Sequence, residues 1–342
     1  MKVFDDAWSR DDLPTGAVAT IGNYDGVHRG QRVVLDRVVA RARQLNVAGA
    51  VITFEPHPAK VLKPDWAPRR LTTAAQKEAL LSACGIDLLF LLRFDAEFAR
   101  VSARDFVDRF LFGRLDLREI LVGSRFAFGK AREGDLALLR SLAVAAGRDR
   151  SSVHGVEEIV AGSAPISSTR IREAVLTGRV EAAQELLGRP YELEGRVVRG
   201  AGKGRDLGWP TINIDSPNEL IPAHGVYVTL VRFEDSTGSL VVQPSVSNVG
   251  VRPTLHSDSK TTVECHLLDF DRDIYGMAVS VQFLERLRGE RAFPSLDALR
   301  AQIGADVAAA RARFARAGGS ETLDRAGAIS ARPIAPKQAG LK

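Results

Sequence analysis

The stretch Ala17-Val-Ala-Thr-Ile-Gly22-Asn23-Tyr24-Asp25-Gly26-Val27-His28-Arg29-Gly30-Gln31 decides how the first half of this 342-residue chain is read. Residues 17–21 make a short apolar strand, glycines follow at 22, 26 and 30, and an amphipathic run then begins. Glycines such as Gly22 and Gly30 let the backbone approach a phosphate closely, and a helix N-terminus adds unpaired N–H groups with positive partial charge. His28 is placed to donate to an α-phosphate as negative charge builds during attack. Without a ligand, the same residues read as a Gly-rich turn with a surface histidine.

Outward from this stretch, compact apolar runs at 17–21, 48–54, 87–92 and 119–122 suit strands buried on both faces. Helix-like segments separate them. Residues 32–45 repeat Val34, Leu35, Val38 and Val39 at helical spacing, 73–83 opens with Thr-x-x-Gln, and 102–112 opens with Ser-x-x-Asp. This alternation predicts a parallel sheet covered by helices, with ligands at the carboxyl ends of the strands where the strand order reverses. Downstream, Pro165-Ile166-Ser167-Ser168-Thr169-Arg170-Ile171-Arg172 joins three hydroxyls and two guanidiniums at a helix start. That makes either a second anion clamp or an ordinary Ser/Thr N-cap.

The pattern changes near Leu187-Gly-Arg-Pro190 to period-two runs such as Val226–Phe233 and Thr262–Leu268, separated by Gly and Pro. They predict a small antiparallel sheet or barrel, closed by a helix over 295–317 with Leu296, Leu299, Ile303, Val307 and Phe314 on one side. The tail after Ala317, rich in Gly, Ala, Pro and charge, is expected to be disordered. Within the second half, Gly195-Arg-Val-Val-Arg199-Gly200-Ala201-Gly202-Lys203-Gly204-Arg205-Asp206-Leu207-Gly208-Trp209-Pro210-Thr211-Ile212-Asn213 is a cationic, glycine-rich loop that can fold its N–H groups around a polyphosphate, or serve as a hairpin loop. Thr211 and Asn213, two apart, face one way on an extended segment and offer the neutral oxygens that suit Mg²⁺.

Composition sets the outer limits. With 45% hydrophobic and 26% charged residues the chain is globular, long enough for two domains, and neither collagen-like nor coiled-coil. The net charge of +5 suits phosphorylated ligands. Cys84 and Cys265 form no CxxC pair, so a reducing compartment is expected. The acidic opening lacks the apolar core of a secretory signal, and no stretch approaches the ~18 apolar residues of a membrane span. A cytoplasmic protein is the resulting expectation.

These motifs carry a specific resemblance. Gly22–Gln31 resembles the HxGH signature of the nucleotidylyltransferase superfamily, and Ile166–Arg172 its SSTxxR loop. With Val51-Ile-Thr-Phe-Glu-Pro-His-Pro58, Arg70-Leu-Thr-Thr-Ala-Ala-Gln-Lys77 and Val122-Gly-Ser-Arg-Phe-Ala-Phe-Gly129, the first half looks like the adenylyltransferase module of bacterial bifunctional riboflavin kinase/FAD synthetases. The loop 195–213 resembles the riboflavin kinase signature GxxxxGxxxGRxLGxPTxN, continued by Leu220–Tyr227, Ser247–Thr254, Val263–Asp269, Asp273–Gly276 and Glu285–Arg288. The resemblance spans roughly residues 16–310. It implies a Rossmann-like α/β nucleotidylyltransferase domain over 1–187, a six-stranded antiparallel β-barrel kinase domain with a C-terminal helix over 188–318, and a tail over 319–342. Riboflavin plus ATP would give FMN, and FMN plus ATP would give FAD and pyrophosphate.

By the same resemblance Gly22, Asn23, Asp25, Gly30, Gln31, Ser167, Ser168, Thr169 and Arg172 bind the first nucleotide, with His28 catalytic and His57 nearby. Gly202, Lys203, Gly204 and Arg205 bind the second nucleotide, Thr211 and Asn213 hold Mg²⁺, Glu264 is the base for the ribityl 5′-hydroxyl, and Arg288 faces the flavin. His154, His224, His256 and His266 lack metal-ligand spacing and read as structural or surface residues. Two positions depart from the family: Gln31 replaces the second histidine, and Arg125 stands where an Asn or Asp is usual. Gln can hydrogen-bond a phosphate but cannot become a cation. These departures define an alternative, a kinase with a weakened or repurposed N-terminal module. A flavin-sensing or nucleic-acid-binding regulator would need a basic stripe with stacking aromatics, against which stand 6% aromatics and scattered basic residues. The expected partners are therefore ATP, riboflavin and FMN, with neither nucleic acid nor membrane; the sequence assigns no oligomeric state.

Overall fold

The computed structural model describes residues 1–200, 203–251 and 261–316, with the side chain of Lys203 also left undescribed. The chain divides into two compact units, one of Met1–Arg70 and Ala74–Ser167, the other of Leu71–Thr73 and the residues from Ser168 onward. His256, Gly202 and the tail expected to be disordered lie outside the described residues.

The first unit holds strands β1 (Lys2–Phe4), β2 (Val18–Ile21), β3 (Gly49–Glu55), β4 (Leu88–Arg93), β5 (Glu119–Gly123) and β6 (Val153–Val156). They pair only in parallel, in the order β1-β4-β3-β2-β5-β6. Successive side chains go to opposite faces. Ala19, Ile21, Ile52, Phe90, Leu92, Ile120 and Val122 feed one apolar cluster, whereas Val18, Val51, Leu89 and Leu121 feed the other. Helices α1 (Arg29–Leu45), α2 (Pro58–Leu62), α3 (Ala74–Ala83), α4 (Ala103–Asp105) and α5 (Leu136–Ala145) follow in chain order, and the two-residue strands β7 (Val160–Ala161) and β8 (Ala164–Pro165) pair as a hairpin. The fully buried Leu35 and Val38 of α1 each contribute about 1.5–3 kcal/mol of transfer free energy against the second cluster.

The expected strands and helices appear within a few residues of their expected ends, with one change of type and with β1, β6, α2, α5 and the β7–β8 hairpin as additions. β1 and β6 have only three and four residues, and β6 contains Gly155 and His154, too short and mixed for an apolar pattern to show. Ser102 caps α4 as its Ser-x-x-Asp pattern requires, accepting from the Asp105 N–H at 3.0 Å. After one turn, however, the segment continues as a π-helix over Phe106–Arg114 that buries Phe106, Val107, Phe110, Leu111 and Phe112. Two elements are pinned to β5 by Glu119, whose carboxylate takes both Arg41 of α1 (2.6 and 2.7 Å) and His154 of β6 (2.9 Å).

In the second unit α6 (Ser168–Leu176) and α7 (Val180–Leu187) precede strands β9 (Tyr191–Val198), β10 (Ile212–Asp215), β11 (Gly225–Glu234), β12 (Leu240–Val251), β13 (Thr261–Leu267) and β14 (Ala278–Arg288); a single turn, α8 (Lys203–Asp206), sits between β9 and β10. The strands close as β10-β13-β12-β11-β14-β9, antiparallel at every pairing. Closure removes the sheet edges. α9 (Leu296–Arg316) covers Val226, Val228 and Leu230 with Val307, Ala310, Ile303 and Phe314. Leu296, expected on that side, is 65% exposed: as the first helical residue its side chain leans back past the helix start.

Two carboxylates in this frame make opposite pH predictions. Arg41 first, and His154 after it, hold Glu119 below the usual carboxylate range. Its contribution is therefore full above the ordinary value near 4.5 and drains as pH falls through the lowered one. Glu119→Gln should lose about 1–3 kcal/mol in urea unfolding at neutral pH, converging with the native chain in acid. Burial, with Glu192 beside it, pushes Glu194 up to about 7. A raised value means the favourable state is the protonated one, lost as pH rises through 7. Glu194→Gln should thus melt higher than the native chain in mild alkali and equal to it near pH 4, below the ordinary value of 4.5; the same melting difference at both pH values would refute this.

Candidate functional site

The strand order reverses beside β2: the chain steps from β2 to β3 and β4 on one side, then returns to place β5 on the other. The loop after β2 therefore lies at the switch point, where a parallel sheet leaves a crevice. That loop is tightly wound. Tyr24, Gly26 and Val27 have φ of 47°, 90° and 41°, left-handed values that a β-branched residue rarely adopts. Tyr24 and Val27 are held there by burial, and the Tyr24 hydroxyl bonds Thr20 Oγ1 at 2.7 Å. Asp25 is buried, Asn23 is exposed with its amide 3.2 Å from His57 Nε2, and a Cβ on Gly22 would sit 3.3 Å from the Tyr24 ring.

His28 is the N-cap of α1, and Gln31 completes a capping box with it. The Gln31 N–H donates to His28 Nδ1 (3.2 Å), and the His28 N–H donates to Gln31 Oε1 (3.1 Å). Because Nδ1 accepts, the proton of the neutral ring is on Nε2. A Cβ at Gly30 would lie 3.3 Å from the imidazole and 3.7 Å from Ile166 Cβ, so the glycine lets the ring and the segment entering Ser167 close over the helix start. Arg125, the other departure, forms an ion pair with Glu158, which neutralises its charge locally. At the end of β3, Glu55 pairs with Arg70 (2.8 Å) and approaches the Lys77 ammonium (3.7 Å). Burial lowers Lys77, an effect opposed by Glu55 and Asp25.

Sequence reasoning assigned no flavin-contacting residue in this unit. The structure brings Phe54, Phe94 and Phe126 to the carboxyl ends of β3, β4 and β5, all half-buried; Phe54 and Phe94 meet edge-on at 5.7 Å, and Phe126 stacks on Phe128 at 5.2 Å. They come from three separate strand ends; Phe54 and Phe126 fall within the stretches 51–58 and 122–129, but neither stretch shows that they share one end of the sheet. The Ser167–Arg172 segment forms the helix start it was expected to form. α6 begins at Ser168 with Thr169 exposed and Arg170 and Arg172 half-buried, and the division between the units falls between Ser167 and Ser168.

In the barrel, Asn213 of β10 lies directly opposite Glu264 of β13, and Glu264 lies opposite Asn248 of β12. Their neighbours Ile214, Val263, Cys265 and Val249 are buried inside, so Asn213, Glu264 and Asn248 form one row on the outer face. The turn before β10 is compact. The Trp209 N–H bonds Gly204 O at 2.8 Å, Gly208 has φ 88°, and a Cβ at Gly204 would fall 2.5 Å from Trp209 O and 3.0 Å from Thr211 Oγ1. A Cβ at Gly200 would overlap the Asn213 amide at 2.2 Å. These glycines are needed because the loop lies directly on the two neutral oxygen donors. A cavity of about 390 Å³ opens beside Thr211, lined in part also by Arg205, Ile212, Cys265, Arg272 and Tyr275. That is large enough for a small organic ligand, whose pockets span roughly 300–1,000 Å³. Arg288 is gripped by Asp306 of α9 through contacts of 2.8 to 3.1 Å. Cys265 is buried and its thiol is pushed up to about 12 by desolvation, which makes it inert.

Known proteins match both units. Residues 11–170 match the family model for FAD synthetase, and residues 187–314 that for riboflavin kinase. A bifunctional riboflavin kinase/FMN adenylyltransferase of Pseudomonas fluorescens is 40% identical over 297 residues, covering 87% of this chain and 93% of its own. Its counterpart in Escherichia coli K12 is 38% identical over 299 residues, with the same two coverages. A solved structure described as a macrolide-efflux protein from Streptococcus pneumoniae aligns over 91% of this chain and 98% of its own, at 29% identity and a TM-score of 0.81. Among the described residues no helix is long and apolar enough to cross a membrane. Relatives of this similarity, matched over nearly their whole length, place the chain in the bifunctional riboflavin kinase/FMN adenylyltransferase family.

Proposed function

We propose that this chain transfers the γ-phosphoryl group of ATP to the 5′-hydroxyl of riboflavin, and then joins the resulting FMN to the adenylyl group of a second ATP. The observation that carries the reading is the cross-strand placement of Glu264 against Asn213, which sets a carboxylate beside the neutral oxygens of the Pro-Thr-x-Asn turn. In the first reaction Glu264 accepts the hydroxyl proton as the oxygen attacks phosphorus and ADP departs. Gly202, Lys203, Gly204 and Arg205 cradle the phosphates. Families of this kind use ATP with a divalent metal; the Thr211 hydroxyl and the Asn213 carbonyl suit Mg²⁺, which takes the rest of its shell from water and phosphate. When bound, the metal neutralises charge on the phosphates. Arg288, oriented by Asp306, is assigned to the flavin.

In the second reaction a phosphate oxygen of FMN attacks the α-phosphorus of ATP, and pyrophosphate leaves. His28, with its proton on Nε2, donates to the α-phosphate. Gly22, Asn23, Asp25, Gly30 and Gln31 supply the loop, and Ser167, Ser168, Thr169 and Arg172 are assigned to the polyphosphate. Phe54, Phe94 and Phe126 offer the stacking surface for an isoalloxazine. The alternative of a weakened N-terminal module is not favoured, since relatives bearing both activities in their names match the chain across both units. We assign adenylyl transfer to residues 1–187 and the kinase to 188–318, in a cytoplasmic protein, as the two free cysteines and the ATP substrates suggest.

Incubation with riboflavin, ATP and Mg²⁺, with flavins resolved by chromatography, should yield FMN and then FAD. Glu264→Gln should lower FMN formation by about 100-fold or more while FMN supplied from outside is still adenylylated; His28→Ala should do the reverse. A native chain that forms no FMN would refute the kinase reading, and FMN without FAD would refute the second activity alone. Gln31→Glu keeps the capping acceptor but adds a negative charge at the anion site. It should weaken the apparent ATP affinity of adenylyl transfer by about tenfold with Tm unchanged. An unaltered ATP dependence would show that residue 31 does not face the nucleotide.

A further inference from the structure

His266 carries no assigned role, yet it stands where the two halves of the kinase centre meet. It lies two residues beyond Glu264 on β13, so both side chains project from the same outer face of the barrel. β10 pairs with β13 through Ile212 opposite Cys265 and Asn213 opposite Glu264. One step further along that register, His266 comes opposite Thr211, where the regular pairing has ended. There the imidazole takes over from the backbone: His266 Nδ1 lies 2.8 Å from Pro210 O. A carbonyl only accepts, so Nδ1 carries the proton and donates it. The ring also meets Trp209 edge-on at 5.3 Å, and Trp209 packs in turn against the apolar cluster beneath α9. Pro210 has no N–H of its own with which to enter the ladder.

We propose that His266 is a positioning residue for phosphoryl transfer, clamping the Pro210 carbonyl so that Thr211, just beyond the end of the ladder, is held in fixed register with Asn213 and Glu264. Among the described residues the backbone of the turn 207–211 is tied locally, by the Trp209 N–H to Gly204 O and the Gly208 N–H to Arg205 O, while the Trp209 ring packs on the cluster beneath α9. The side-chain bond from β13 extends the tie between the two strands past Ile212, where the ladder ends, to the turn itself. Without it the Thr211 hydroxyl can shift relative to Asn213 and the carboxylate, and displacements near 1 Å cost about 100-fold in rate. The proposal rests on the assignment of Thr211, Asn213 and Glu264 to the kinase centre.

Three variants separate the hydrogen bond from simple packing. His266→Asn keeps an N–H donor at the same position along the side chain, His266→Phe keeps a ring against Trp209 but has no donor, and His266→Ala removes both. The expected result is a kcat for riboflavin phosphorylation about 10- to 100-fold lower in the Phe and Ala variants, with riboflavin KM little changed and most of the rate restored by Asn. Adenylylation of supplied FMN should stay native in all three, which reports the fold of the rest of the chain. Mn²⁺ binding in the presence of ADP, followed by water-proton relaxation, should weaken by about tenfold in the Phe and Ala variants but not in the Asn variant. Native kcat or Mn²⁺ affinity in His266→Phe, failure of Asn to rescue, an effect on KM alone, or equal loss of both activities would overturn the proposal. Glu264→Gln, assayed alongside, tests the underlying assignment: if it retains FMN formation, the site reading itself fails, whatever the His266 variants do.

Discussion

A strand buried in a protein cannot leave its N–H and C=O groups unpaired. Both units meet this constraint differently, and the chemistry follows from how. In the first unit the strands pair in parallel, so every connection must cross back over a face, and the order reverses beside β2. The crevice at that reversal receives the Gly22–His28 loop. In the second unit the strands close on themselves, and antiparallel register puts Asn213, Glu264 and Asn248 in one row on the outside. Strand pairing thus decides which side chains become neighbours, and the loops add glycines where the backbone must come close.

Within this frame, surroundings decide what each charged group does. Glu119 and Glu194 are the same residue type, yet one is held ionised by Arg41 and His154 while the other is pushed toward neutrality by burial beside Glu192. Lys77 is buried but keeps carboxylates on hand. The two family departures follow the same logic. Gln31 exchanges a second imidazole for a reciprocal pair of hydrogen bonds with His28, and Arg125 meets Glu158. Neither leaves an uncompensated polar group at the loop.

Much of this was legible in the residues. Apolar runs located β2 to β5 because strands buried on both faces must be nearly continuous in hydrophobicity. The capping pattern at Ser102 placed the start of α4, and period two marked the barrel strands. The same signals could not reveal β1 and β6, which are too short, or the π-helix after Asp105, which differs from an α-helix in the five-residue spacing of its backbone hydrogen bonds and not in residue type. Leu296 looked like a core residue by spacing, but position at a helix end outweighed periodicity. That Phe54, Phe94 and Phe126 all come to the carboxyl end of the sheet was not legible, because they are far apart in the chain. His266 read as a structural or surface residue, and its bond to the Pro210 carbonyl fits that reading; which carbonyl it takes was set by the fold.

By itself the sequence determined the two-part organisation, the glycine-rich loops, the neutral donors Thr211 and Asn213, and the carboxylate Glu264, because each depends on residue type and local spacing. Only the tertiary structure decided which of these face one another: that Glu264 meets Asn213, that Gln31 holds His28 in one tautomer, that Asp306 grips Arg288, and that His266 reaches Pro210. Such partnerships are set by strand register and packing across tens of residues. Those are properties of the closed barrel and the parallel sheet as wholes, and no window of sequence contains them.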